Sequence, residues 1–176
     1  MAQVGKVIRN ILIIIWFVIA VFVTACLLSY NEFKVSTFGK TSLVIIDNDE
    51  MEPDYFEGDL LLIKRVSDSK INVGDKIFYY NTSKDSDTTI YTDEVKEKNT
   101  VTKSETTYTL NEGKVSGDYV LGTKNDVKVY SKLGSILGVF TSKWGYMFLV
   151  IFPTLFATIY EIIMIVDLAK SKDKEE

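Results

Sequence analysis

Two long apolar runs frame a polar middle, and this arrangement restricts the possible folds more than any other feature. Ile11–Leu28 is uncharged over 18 residues, and extension back to Val7, across Arg9, gives 22. At 1.5 Å per residue these make roughly 27–33 Å of helix, which matches a hydrocarbon core about 30 Å thick. Trp144–Tyr160 is a second uncharged run, of 17 residues, followed by Glu161 and then Ile162–Val166. Pro153 lies inside it, where a membrane helix tolerates a kink. Glu161 falls about 26 Å along from Trp144, at the far membrane edge. Trp144, Tyr146 and Tyr160 suit the interfacial aromatic belts.

The flanks set an orientation. Lys6 and Arg9 precede the first run, and Lys170, Lys172 and Lys174 follow the second. Basic flanks stay inside, so both termini are expected in the cytoplasm and the middle outside. The expected organisation is a cytoplasmic N-terminus (1–6), a first transmembrane helix (7–29), an extracytoplasmic β domain (30–143), a second transmembrane helix (144–166) and a cytoplasmic tail (167–176). The competing reading of the first run is a cleaved signal peptide, with Thr24-Ala25-Cys26 as the small-residue site. The length of the run favours a retained span.

The middle reads as β structure. Thr41–Ile46, Leu60–Val66, Lys76–Tyr80, Thr88–Val95, Thr102–Leu110, Tyr119–Thr123 and Val127–Tyr130 are β-branched, aromatic or alternating stretches. Ser67-Asp68-Ser69, Asn81–Asp87, Lys98-Asn99, Asn111-Glu112-Gly113 and Lys124-Asn125-Asp126 separate them as turns or loops. Seven short strands at this spacing predict a small β-barrel or folded sheet. The fold class is mainly β, with a transmembrane helix on either side.

Composition narrows the chemistry. The chain has no histidine, which removes His-based catalysis and His metal ligation. Its one cysteine, Cys26, excludes an internal disulfide. A formal charge of −4 without a basic tract gives no expectation of nucleic acid as a partner. No cofactor or metal is implied.

One stretch carries a functional signal: Glu50-Met51-Glu52-Pro53, then Gly58-Asp59 and the apolar Leu60–Ile63. Pro53 disfavours a helical Glu52, so Met51–Pro53 is expected to be stiff and extended, a shape that can line a groove for another extended chain. Met-Glu-Pro, a short spacer, Gly-Asp and an apolar strand, all after a membrane span, resemble type I signal peptidase, most closely its endoplasmic-reticulum/archaeal-type branch. Leu133-Gly134-Ser135-Ile136-Leu137, Lys143-Trp144-Gly145 and Tyr160-Glu161-Ile162 extend the resemblance over most of the chain. Gly74-Asp75 matches a turn leading into a core strand.

The resemblance implies a serine before Met-Glu-Pro, a histidine after a strand-end threonine and a later acidic residue. Here these positions hold Glu50, Asp93 (in Ile90-Tyr91-Thr92-Asp93-Glu94-Val95) and either Glu112 or Asp126. Met51, Glu52 and Pro53 stand at the substrate-binding position. A Ser–Lys dyad using Lys64, Lys70 or Lys76 would need a serine beside Met51, and there is none. Two further readings concern the acids themselves. Glu50 and Asp93 could share a proton, or Asp47, Asp49, Glu50, Asp93 and Glu94 could give oxygen ligands to Ca²⁺.

The functional expectation is therefore a membrane-bound, signal-peptidase-like protein without peptidase chemistry, in the plasma membrane of a prokaryote. It would bind extended segments of signal-peptide-bearing or exported polypeptides, or partner an active signal peptidase. The alternatives are an active signal peptidase with a non-standard catalytic set, and a structural membrane protein.

Overall fold

The structure is a computed structural model and describes residues 2–31, 33, 35–80, 90–102 and 105–172. It divides into two compact units. One combines the first 24 residues with those from Val139 onward, and the other is Ala25–Gly138.

The first unit is helical. Helix α1 (Ala2–Leu28) is joined in this unit by α3 (Lys143–Tyr146), a π-helical turn (Met147–Ile151) and α4 (Phe152–Lys172). Gln3–Leu28 and Lys143–Asp167 are long and apolar enough to cross a membrane. The π turn ends two residues before Pro153, which has no N–H to offer the carbonyl four residues earlier, that of Leu149. That carbonyl instead accepts a hydrogen bond from the Trp16 indole Nε1 at 2.8 Å. Thr24 and Tyr146 join their hydroxyls at 3.2 Å.

Among the described residues, the second unit holds ten strands in three antiparallel sheets. They are β1 (Ser36–Phe38), β2 (Thr41–Ile45), β3 (Leu60–Lys64), β4 (Lys76–Tyr80), β5 (Ile90–Glu94), β6 (Glu97–Thr102), β7 (Glu105–Thr109), β8 (Lys114–Ser116), β9 (Val120–Thr123) and β10 (Val127–Tyr130). The sheet orders are β1-β2-β3-β10, β5-β4-β9 and β6-β7-β8.

The middle sheet organises the core. Strand β4 reads Lys76-Ile77-Phe78-Tyr79-Tyr80, with three apolar residues in a row, and Ile77, Phe78 and Tyr79 are all buried. Successive side chains point to opposite faces, so a strand with this pattern must be covered on both. Phe78 packs into one cluster with Val44, Ile46, Met51, Tyr55, Leu61 and Ile63. Ile77 and Tyr79 pack into a second with Ile71, Val95, Tyr108 and Leu110. Two half-cores on either side of one sheet follow directly from that run. Strand β9 passes so close to β3 that a Cβ on Gly122 would lie 2.7 Å from the Lys64 carbonyl oxygen.

The strand expectations at Lys76–Tyr80 and Val127–Tyr130 match β4 and β10 to the residue. Lys98-Asn99, expected as a turn, lies inside β6 instead. Lys98 faces inward because its ammonium donates to the carbonyls of Asp68 (2.6 Å) and Ile71 (2.9 Å). Helix α2 (Leu133–Thr141) occupies a stretch that had no helical expectation. The Asn81–Asp87 loop reading, and Thr88 and Thr89 of the fourth expected strand, lie outside the described residues.

Candidate functional site

The Glu50–Asp59 stretch is a closed loop between β2 and β3. Its neck is fixed by Ile46 N–H donating to Asp59 O (3.0 Å) and Gly58 N–H donating to Ile46 O (2.7 Å). Gly58 has φ +87°, a left-handed conformation that glycine adopts without steric cost. Helix α2 seats against this neck: Ser135 N–H donates to Gly58 O at 3.1 Å. A Cβ on Gly134 would lie 2.4 Å from the Asp59 carbonyl oxygen. The Gly58-Asp59 and Gly134-Ser135 pairs, separate in sequence, thus form one close backbone contact.

Inside the loop the chain turns rather than extends. Glu50 N–H donates to Asn48 Oδ1 (3.2 Å), Glu52 N–H to Asp49 O (3.0 Å) and Tyr55 N–H to Met51 O (3.0 Å). The Glu52–Pro53 peptide is cis. The expected extended segment is replaced by this turn because Met51 and Tyr55 both bury their side chains in the first half-core. Tyr55 packs its ring 5.4 Å from that of Phe78. Glu50, Glu52 and Pro53 are exposed. The notch beside Met51, lined by Val44–Asn48, Met51 and Ile90, holds only about 10 Å³. That is room for about one water and not for a side chain.

Asp54 anchors the loop from outside. Its Oδ2 meets Lys76 at 2.9 Å and Lys124 at 3.0 Å. Hydrogen bonds from these two ammonium groups hold the Asp54 carboxyl below its ordinary 3.8. A depressed carboxyl stabilises the fold above the unfolded-state value, and that stabilisation is lost as pH falls through the folded value. Asp54→Asn should therefore lower the melting temperature slightly at pH 7, with the deficit shrinking below about pH 4 and in high salt. Melting curves across pH check this, and an equal deficit at pH 3 and pH 7 would contradict it.

Asp93 is committed elsewhere. Its Oδ1 accepts from Glu94 N–H (2.7 Å) and Asn111 Nδ2 (2.5 Å), and its Oδ2 accepts from Asn111 N–H (2.8 Å). The carboxylate thereby clamps β5 to the Asn111–Gly113 turn between β7 and β8. Burial, then the charges of Asp93 and Glu112, push the Tyr79 phenol up to about 12. Asp93 and Glu112 thus lie around one tyrosine, whereas Asp126 accepts from Thr123 Oγ1 at 2.9 Å in its own turn. Between the two candidate acids, Glu112 is the one in the turn that Asp93 holds.

Among the described residues, no three Asp, Glu or Cys side chains gather closely enough to hold a metal ion. The calcium reading of Asp47, Asp49, Glu50, Asp93 and Glu94 is therefore not met. Sequence reasoning overlooked two residues that shape this region, Asn111 and Asp54. Asn111 was visible as a turn residue, and Asp54 followed a proline, but neither carries a signal for its partner. No family model, curated protein or solved structure matches this chain.

Proposed function

We propose that this chain is a membrane-bound, signal-peptidase-like protein that lacks peptidase chemistry. Both termini face the cytoplasm of a prokaryotic cell, and the β unit faces outward. It engages extended segments of exported polypeptides, or an active signal peptidase handling them, through the exposed rim Glu50, Glu52 and Pro53. The resemblance in the Met51–Asp59 stretch and the two apolar helices support this reading.

One observation carries the non-catalytic part. Acyl transfer needs a nucleophile, a base that can take its proton, and donors for the oxyanion. The position of the family's histidine holds Asp93, whose two oxygens already accept three N–H groups from Glu94 and Asn111. The nucleophile position holds Glu50. A carboxylate so engaged fastens β5 to the Asn111–Gly113 turn.

The test is a photo-crosslinking residue at Glu52 in the full-length chain, reconstituted with a purified signal-peptide-bearing precursor. An adduct at Glu52, and none from the same group at exposed Val73, is expected. Equal yields at both positions would reject the binding reading in favour of a structural membrane protein.

A further inference from the structure

The apolar inner face of β3 ends in a charge. Leu61 and Ile63 are fully buried in the first half-core. Alternation along the strand gives Arg65, the next residue in that series, the same face. Its backbone N–H donates to Lys40 O at 2.7 Å, which fastens it to the turn between β1 and β2. Arg65 and Lys40 both line one cavity of about 100 Å³.

Much of the remaining wall is hydroxyl. Thr37 and Ser42, register partners on β1 and β2, bring their hydroxyls to 3.3 Å. Ser42 is buried. Tyr80, at the end of β4, lines the same space and accepts from Asn31 Nδ2 at 2.8 Å. Burial pushes the Tyr80 phenol up, while hydrogen bonds from Asn31 and Thr37 and the positive charge of Arg65 act the other way. The Arg65 charge is thus felt at that hydroxyl. Asp118, exposed in the 3-10 turn Gly117–Tyr119, is the one acid among the lining residues.

Charge and size give the chemistry of a ligand. Two cations and one acid leave the cavity at +1, and among the described residues neither Lys40 nor Arg65 is in an ion pair. The planar guanidinium fork matches a carboxylate or phosphate, and charge-assisted hydrogen bonds are about twice as strong as neutral ones. Pockets for drug-sized ligands run to about 300–1,000 Å³. A cavity of about 100 Å³ equals the share of about three waters in the liquid, which is the scale of one oxyanion group.

We infer that this cavity is a binding site for a small oxyanion, a carboxylate or phosphate group. Arg65 and Lys40 hold the charge, and the Thr37, Ser42 and Tyr80 hydroxyls surround it. The site is separate from the Glu50–Asp59 loop, because Arg65 stands six residues beyond Asp59, about 20 Å along an extended strand. The inference is independent of the proposed function.

The experiment follows amide NMR shifts of the full-length chain in detergent micelles while inorganic phosphate replaces chloride at constant ionic strength. Saturable shifts are expected at Gly39, Lys40, Ser42 and Arg65, and none at exposed Val73. Arg65→Gln should weaken the apparent affinity roughly tenfold or more, as the loss of a hydrogen bond to a charged group does. Lys40→Gln should weaken it several-fold. Lys128→Gln, outside the cavity, should leave it unchanged.

A parallel titration with acetate separates the two sources of the oxyanion. Saturation by acetate alone assigns a carboxylate, saturation by phosphate alone assigns a phosphate group, and either or both uphold the inference. Shifts that stay linear in both titrations, or an affinity unchanged by Arg65→Gln and Lys40→Gln, would overturn it. Should Arg65→Gln fail to fold, Lys40→Gln, on an exposed turn, carries the same test.

Discussion

Gly134→Ala is expected to destabilise the β unit by about 2 kcal/mol, although alanine is the better helix former. Helix propensity favours alanine over glycine by roughly 1 kcal/mol. Against this, the added Cβ would lie 2.4 Å from the Asp59 carbonyl oxygen and 2.8 Å from that of Gly58. Both are backbone atoms of a loop neck held by three hydrogen bonds, so neither can move aside without breaking one. Overpacking of this kind costs about 1–3 kcal/mol, and rigid neighbours push it to the upper end. The clash wins. Gly138→Ala on the same helix is the matched control, because its Cβ would meet the Ile45 Cδ1 at an ordinary 3.9 Å. Thermal unfolding by circular dichroism should show Gly134→Ala melting several degrees below the parent and Gly138→Ala at or above it. Equal melting temperatures for the two variants would mean that α2 does not seat on the loop neck.

Phe78→Ala has a larger expected effect, a loss of about 3–5 kcal/mol. Phe78 is 0% exposed at the centre of the first half-core, in ring contact with Tyr55. Its loss would leave a cavity bounded by Leu61, Ile63 and Met51, which belong to strands and a loop that cannot collapse inward freely. Set against a typical total stability of 5–15 kcal/mol, this change brings the unit close to unfolding. Val73→Ala, at an exposed turn, should be nearly silent. Urea titration of the full-length chain in micelles measures both. A loss below about 1 kcal/mol at Phe78 would show that the middle sheet is not the organising layer.

What was legible in the sequence follows from which forces act locally. Strand β4 was plain because a strand covered on both faces is apolar at consecutive positions, here Ile77, Phe78 and Tyr79, and β10 was plain because turns bound it. Strand β6, Glu97-Lys98-Asn99-Thr100-Val101-Thr102, was hidden because its backbone pairs with β7 while all its residues but Val101 are polar. Nothing local reveals that the Lys98 ammonium will satisfy two carbonyls some thirty residues earlier. Helix α2 was hidden for a related reason. Gly134 faces a backbone neck, and apart from Ser135 and Thr141 the non-glycine residues are all apolar, so no helical period stands out.

The candidate site shows the same division. The loop at Glu50–Asp59 was identified from Pro53, Gly58 and their spacing. Its shape was misjudged, because Met51 and Tyr55 are drawn into the half-core beside Phe78 and fold the chain into a turn. The Asp93 position was identified, but its commitment to Asn111 depends on a strand and a turn eighteen residues later meeting in space.

We propose that this chain keeps the membrane frame and the loop of a signal peptidase without its chemistry. The most direct measurement is precursor cleavage by the full-length chain in proteoliposomes, beside an active signal peptidase as positive control. No mature product is expected from the native chain under conditions where the control processes the precursor fully. Mature product from the native chain, abolished by Glu50→Gln, would contradict it and assign the catalysis to that carboxylate.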